Sequence, residues 1–187
     1  VGTIALDRCT TSSDNTAVGH EALTNMTGGA GNTALGKGSM AAVVTGSNNT
    51  AVGRYALSAN TTASNNVAIG INALVANTTA GNNTAVGGEA LAANTTAAFN
   101  TGVGKSALTA NTTGAQNTAV GYNALLSSTT AGFNTAIGSI SGDAITTGAS
   151  NTTVGYGSGS GITTADNNTI IGGSCAATLS TGANNTI

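Results

Sequence analysis

Apolar residues return at a fixed interval of 17 along the whole chain. An aliphatic residue stands at Val1, Val18, Leu35, Val52, Ile69, Val86, Val103, Val120, Ile137, Val154 and Ile171. An asparagine lies three residues before each from Val18 on (Asn15, Asn32, Asn49 and onward), and Asn185 opens a last, partial repeat. Counted from that asparagine as position 1, the aliphatic column is position 4, and no insertion or deletion disturbs it. Position 3 is mostly Ala, and positions 8 and 9 carry an apolar pair such as Ala56-Leu57, Ala90-Leu91 or Ala124-Leu125. In an extended segment, positions 2 and 4 share one face and position 3 takes the other. Asn-Thr-Ala-Val-Gly therefore predicts a short strand closed by a tight turn. Asn-Thr-Thr at positions 12 to 14 predicts a turn leading into a second short strand. A short invariant period without helix-forming composition means stacked coils. The expected fold is all-β: a parallel β-solenoid, or β-roll, of about eleven coils of 17 residues.

Three columns carry the expected architecture. The aliphatic column (Val18, Val52, Val86, Val120 and their equivalents) is expected to form a continuous buried ladder. The asparagine column (Asn15, Asn49, Asn83, Asn117) is expected to satisfy turn amides from coil to coil. Position 5 is always Gly (Gly19, Gly53, Gly87, Gly121), as a positive φ or a backbone approach too close for a Cβ would require. Positions 6 and 7 hold most of the long polar side chains, among them His20, Glu21, Lys37, Arg54, Glu89 and Lys105, so this turn is expected to face solvent. The chain contains no proline, consistent with a backbone hydrogen-bond ladder running throughout.

One internal boundary is visible within a single domain spanning 1–187. Over 1–133 the coils are regular. Over 134–187 the Leu of position 9 gives way to Gly142, Gly159 and Ala176, while polar position 12 becomes Ile145, Ile162 and Leu179. An apolar side chain lost at one site and regained three residues later implies that both positions reach one interior. One Val, one Leu and one or two Ala per coil bury little apolar surface against the cost of ordering 17 residues. A further face is therefore expected to be covered by more of the same chain or by other chains, and the segment to be an excerpt of a longer protein.

Composition narrows the chemistry. Charged residues are 5% and aromatic residues 3% of the chain, with a net charge of −2, so no basic patch exists to hold nucleic acid. No run of 18 apolar residues is present to insert in a membrane. Cys9 and Cys175 fall many coils apart, too far for an intrachain disulfide, and are expected to be buried thiols. The four Asp are scattered in repeat position, unlike the carboxylate ladders of calcium-binding rolls. The lone His20 and six dispersed acids form no acid–base pair. No catalytic residue, metal site or cofactor is expected, and the chain is not expected to be an enzyme. Asn-x-Ser/Thr sequons, such as Asn60 and Asn77, follow from a composition rich in Asn and Thr.

The string Asn66-Val67-Ala68-Ile69-Gly70 resembles the Val-Ala-Ile-Gly motif of YadA-like trimeric adhesin heads. The wider string Asn117-Thr118-Ala119-Val120-Gly121-Tyr122-Asn123-Ala124-Leu125 is similar to repeats of phage tail fibres and related bacterial surface proteins. The resemblance covers essentially the whole chain. It implies a left-handed parallel β-roll packed as a trimer, and an extracellular, cell-surface or virion location. This repeat is longer than the adhesin-head repeat of about 14 to 16 residues, and no stalk, membrane anchor or self-cleaving chaperone domain is seen in this stretch.

The expected function is that of a structural repeat segment: a stiff spacer and surface-attachment element that associates with itself as a homotrimer or fibre. Tyr55, Tyr122 and Tyr156, on the outward turn, are candidates for contact with a cell-surface glycan. The alternative is an ice-binding solenoid with a Thr-rich face built from Thr61, Thr78, Thr95, Thr112, Thr129 and Thr146 at position 13. A third reading is a self-assembling extracellular filament.

Overall fold

The computed structural model describes residues 2–179 and 181–187, so Val1 of the aliphatic column lies outside the described residues. Ten strands of three residues, β1 (Thr16–Val18) through β10 (Thr169–Ile171), stack one per coil into a single ten-stranded sheet. Every neighbouring pair is parallel and in strict register, Thr16 beside Thr33, Ala17 beside Ala34, Val18 beside Leu35. The fold is an all-β parallel β-solenoid with no helix among the described residues, and the sheet passes residue 134 without a register change. The expected second strand following the turn at positions 12 to 14 does not form; positions 13 and 14 lie in a bend with no strand after them, and each coil contributes one strand.

The asparagine column pins the coil. The Oδ1 of each position-1 Asn accepts the backbone N–H of the next Asn at 2.9–3.0 Å, from Asn15–Asn32 to Asn168–Asn185. From Asn32 to Asn151 its Nδ2 donates across the interior to the position-15 carbonyl at 2.8–3.0 Å, as from Asn83 to Ala97 and from Asn117 to Ala131. These amides are fully buried from Asn32 to Asn168, so each bond is made out of water, where an unmade one costs most. Asn15, at the first strand, is half-buried.

That inward asparagine decides the facing of the strand. With position 1 inside, the two-residue alternation places position 3 inside and positions 2 and 4 outside. Ala34, Ala51, Ala68, Ala85 and Ala119 are fully buried. The aliphatic column is therefore not a buried ladder. Val18, Leu35, Ile69, Val120, Ile137 and Ile171 are exposed, and Val52, Val86 and Val103 are half-buried. The core is instead built from the Ala of position 3, the Ala-Leu pair of positions 8 and 9, and the side chain of position 12. Position 12, expected to be a turn, is interior throughout its Asn run: Asn60, Asn77, Asn94 and Asn111 are fully buried and bond the position-15 carbonyl of their own coil.

The exchange between positions 9 and 12 has a direct geometric basis. A Cβ on Gly142 would stand 3.1 Å from Ile145 Cδ1 and 3.2 Å from Leu125 Cδ2, so the two positions share one volume. Ile145 and Ile162 are fully buried in that space, and Thr153 and Ile170 fill more of it from the strand. Leu at position 9 lies at positive φ, near 50° in Leu74, Leu91 and Leu125, a region that costs L-residues steric energy. Gly142 (φ 57°) and Gly159 (φ 69°) occupy the same region without a Cβ. The position-5 glycines, at φ of 131–141°, bring their Cα faces against the next coil; a Cβ on Gly87 would lie 2.4 Å from the Gly104 carbonyl oxygen.

The cysteines are not buried as expected. Cys9 is exposed and Cys175 half-exposed, both as free thiols.

Candidate functional surface

No ligand-sized cavity opens among the described residues, and no group of three or more His, Cys, Asp or Glu side chains converges. Among the described residues no helix is long and apolar enough to cross a membrane. What the fold offers is surface, and its most distinct part is the outer face of the sheet.

Four positions supply the side chains that leave this face: position 17 just before the inward Asn, positions 2 and 4 on the strand, and position 6 beyond the Gly turn. The two central rows are Thr and aliphatic side chains in parallel columns, with no charged residue on any of the ten strands. Coils stack at about 4.8 Å, so each column repeats at that spacing. Aromatic side chains border the second half of the face. Phe99 and Phe133, at position 17, are 60% and 63% exposed; Tyr122 and Tyr156, at position 6, are 51% and 64% exposed. The two Phe were not among the sequence candidates. Their signal is an aromatic residue at a position otherwise held by Asn, Gln, Ser, Asp or Gly.

Tyr55, the third tyrosine candidate, is placed differently. It sits at position 7, half-buried, with its ring against the Gly38 backbone of the preceding coil and the Arg54 guanidinium 5.5 Å from its centroid. Tyr122 and Tyr156 are two coils apart on one edge. His20 Nδ1 lies 3.4 Å from a Glu21 carboxylate oxygen, with both side chains in solvent.

The candidate Thr face at position 13 is on another side of the coil. The hydroxyls of Thr61, Thr78, Thr95, Thr112, Thr129 and Thr146 each donate to the carbonyl of the next coil at 3.0–3.2 Å. They are half-buried, and it is the position-14 Thr beside them, such as Thr79 and Thr113, that is exposed. The sequons divide likewise: Asn60, Asn77, Asn94, Asn111 and Asn151 have buried, hydrogen-bonded amides, whereas Asn48, Asn82, Asn167 and Asn184 stand outside at position 17.

No family model matches the chain, and neither a curated protein nor a solved structure matches it.

Proposed function

We propose that this chain is a structural repeat segment of an extracellular or virion fibre, of the kind its resemblance to tail fibres and YadA-like adhesin heads implies. It acts as a stiff spacer and surface-attachment element at the cell or virion surface and associates with itself as a homotrimer or fibre. The observation that carries this reading is the unbroken ladder. Ten strands pair in one register, and a buried asparagine in each coil bonds both the next coil and the opposite wall of its own. Such a stack resists bending because curvature would stretch hydrogen bonds in every coil at once. Among the described residues no three His, Cys, Asp or Glu side chains converge, while Tyr122 and Tyr156 present exposed rings suited to weak stacking on a glycan.

The test is a deletion series in the whole fibre. Removal of one coil, residues 66–82, keeps the register and should shorten the rod by about 4.8 Å while surface attachment persists. Removal of half that length throws Asn out of the asparagine column and should collapse the rod and attachment together. Attachment that survives half-coil deletions as readily as whole-coil ones would refute the spacer reading.

A second reading, binding to ice, draws support from one feature: the Thr of position 2 form an outward column in strict register along the sheet. Thermal hysteresis measured on the wild-type chain and on Thr118→Tyr decides it; equal activity of the two would remove the position-2 column from that reading.

A further inference from the structure

We infer that the outer face of the sheet is where a second copy of this chain docks, face to face, with parallel axes and coils in register. This rests on the self-association reading above and assigns it a surface; its unit is a two-fold pair, which fits the fibre form of that reading and not the homotrimer. The large exposed apolar side chains concentrate on this side: Leu35, Ile137 and Ile171 on the strands, Phe99 and Phe133 along one edge, Tyr156 along the other. Soluble proteins seldom leave so continuous an apolar strip in water, and a flat array of β-rows is a particular hazard when bare.

Three properties select another copy as the occupant. The first is period. Rows of Thr and aliphatic side chains about 4.8 Å apart mesh fully only with a surface ridged at the same spacing, and sheets pack at about 10 Å by such interdigitation. The same face of a second solenoid has that ridge spacing by construction. The second is area. Ten coils of about 4.8 Å, with about 20 Å from position 17 to position 6, give a face on the order of 900 Å² per copy, matching the roughly 800 Å² per partner of a standard interface. The third is charge. The edges of the face differ: position 6 carries His20, Lys37, Arg54 and Lys105, whereas position 17 carries no cation and one acid, Asp14. Rotation about an axis along the solenoid lays the position-6 edge of one copy on the position-17 edge of the other at equal height. It brings Asp14 toward the second copy's His20, a hydrogen-bonding pair, and Phe99 toward its Lys105, a cation–π pair. The antiparallel alternative sets the coils against one another in reverse order and pairs neither Asp14 with His20 nor Phe99 with Lys105.

The test is the mass of the chain by light scattering across concentrations, for the wild type, Val120→Lys, Ile137→Lys and Thr147→Lys. The first two place a charge at outward, already exposed strand positions, and the third places it on the opposite bend. Circular dichroism confirms that each variant stays folded. The expected result is a wild-type dimer that both face variants reduce to single chains and Thr147→Lys leaves intact; a wild-type trimer overturns the two-fold packing. A wild type that is monomeric at every concentration overturns the proposal and self-association with it. An assembly indifferent to both face lysines overturns the assigned surface and leaves self-association standing. The spacer reading is judged separately by the coil deletions. Orientation is read with a short thiol cross-linker on Leu35→Cys in a Cys9→Ser, Cys175→Ser background. Parallel packing couples this site to its own copy, and failure to couple in an intact assembly overturns the parallel arrangement.

Discussion

Asn111 and Ser128 meet at the end of a buried ladder, and neither completes its hydrogen bonds. They hold position 12 of adjacent coils. Asn111 donates its amide to Asn94 Oδ1 and to the Gly114 carbonyl, both at 2.9 Å, but its own Oδ1 receives no donor. The Ser128 hydroxyl, fully buried, is unpaired as well. One coil earlier Asn94 fills that role toward Asn77 at 3.0 Å. Substituting Ser128→Asn extends the ladder by one rung and supplies the missing donor. We expect it to stabilise the fold by about 1 kcal/mol, the scale of a buried hydrogen bond gained where a group was unsatisfied. Urea melts of the two proteins check it.

The volume shared by positions 9 and 12 predicts a strong coupling. Gly142→Leu places a branched side chain against Ile145 and Leu125, already within 3.2 Å of where its Cβ would begin, and should destabilise by about 2 kcal/mol through overpacking. Ile145→Asn alone leaves a void and a buried amide. Together they rebuild the arrangement found at Leu108 and Asn111, so the double-mutant cycle should return a favourable interaction of about 1–2 kcal/mol. Residual strain against Thr153, which takes part of the same space, keeps the rescue incomplete. Independent additive costs would show that the two positions do not share a volume.

Gly87 is the most direct test of the turn that closes each strand. Its φ of 135° is disfavoured for L side chains, and an added Cβ meets the Gly104 carbonyl oxygen at 2.4 Å. Gly87→Ala combines backbone strain with coil separation and should cost about 2–3 kcal/mol. Ala at Gly88, where a new Cβ meets only the Ile71 Cγ2 methyl at 3.3 Å and no backbone atom, should be tolerated far better. Thermal melting of both variants compares them within one turn.

Asp143 gives the fold a pH dependence of unusual sign. Burial pushes its carboxyl above the ordinary 3.8, while backbone hydrogen bonds at Asp143 and Ala144 pull the other way, and its Oδ1 lacks a partner. The folded state thus holds this proton more tightly than the unfolded chain. The contribution is fully present below the unfolded value and is lost as pH rises through the raised folded value. Stability should therefore decline modestly as pH climbs from about 3.8 upward, and Asp143→Ser, the residue at the equivalent Ser58 and Ser160, should remove that decline. Denaturant midpoints across this window, compared between the two chains, isolate the group.

The stacking and its period were legible in the residues because a 17-residue register admits few architectures, and the Gly column named its own turn. The exchange of Leu for Ile between positions 9 and 12 was also legible, since apolar volume must be conserved in a closed coil. The facing of the strand was not. Val52 and Val86 look like core by hydropathy, yet the interior admits one side of the strand, and the buried amide of position 1 claims it for Asn and Ala. Asn60 and Asn77 were missed for the converse reason: a polar residue beside two Thr suggests a turn, and only the opposing position-15 carbonyl explains an amide indoors. The apolar outer face followed from neither signal alone. It needed the facing of the asparagine to turn an aliphatic column outward.

Spin-label distances measure the straight stack of one strand per coil with positions 2 and 4 turned outward. Labels at Thr16 and Thr169, on β1 and β10, are nine coils apart. Straight stacking gives a narrow distribution centred at about 43 Å, falling by about 9.6 Å when the second label moves two coils nearer to Thr135. A broad distribution, or a distance that does not change in steps of one coil, would contradict it.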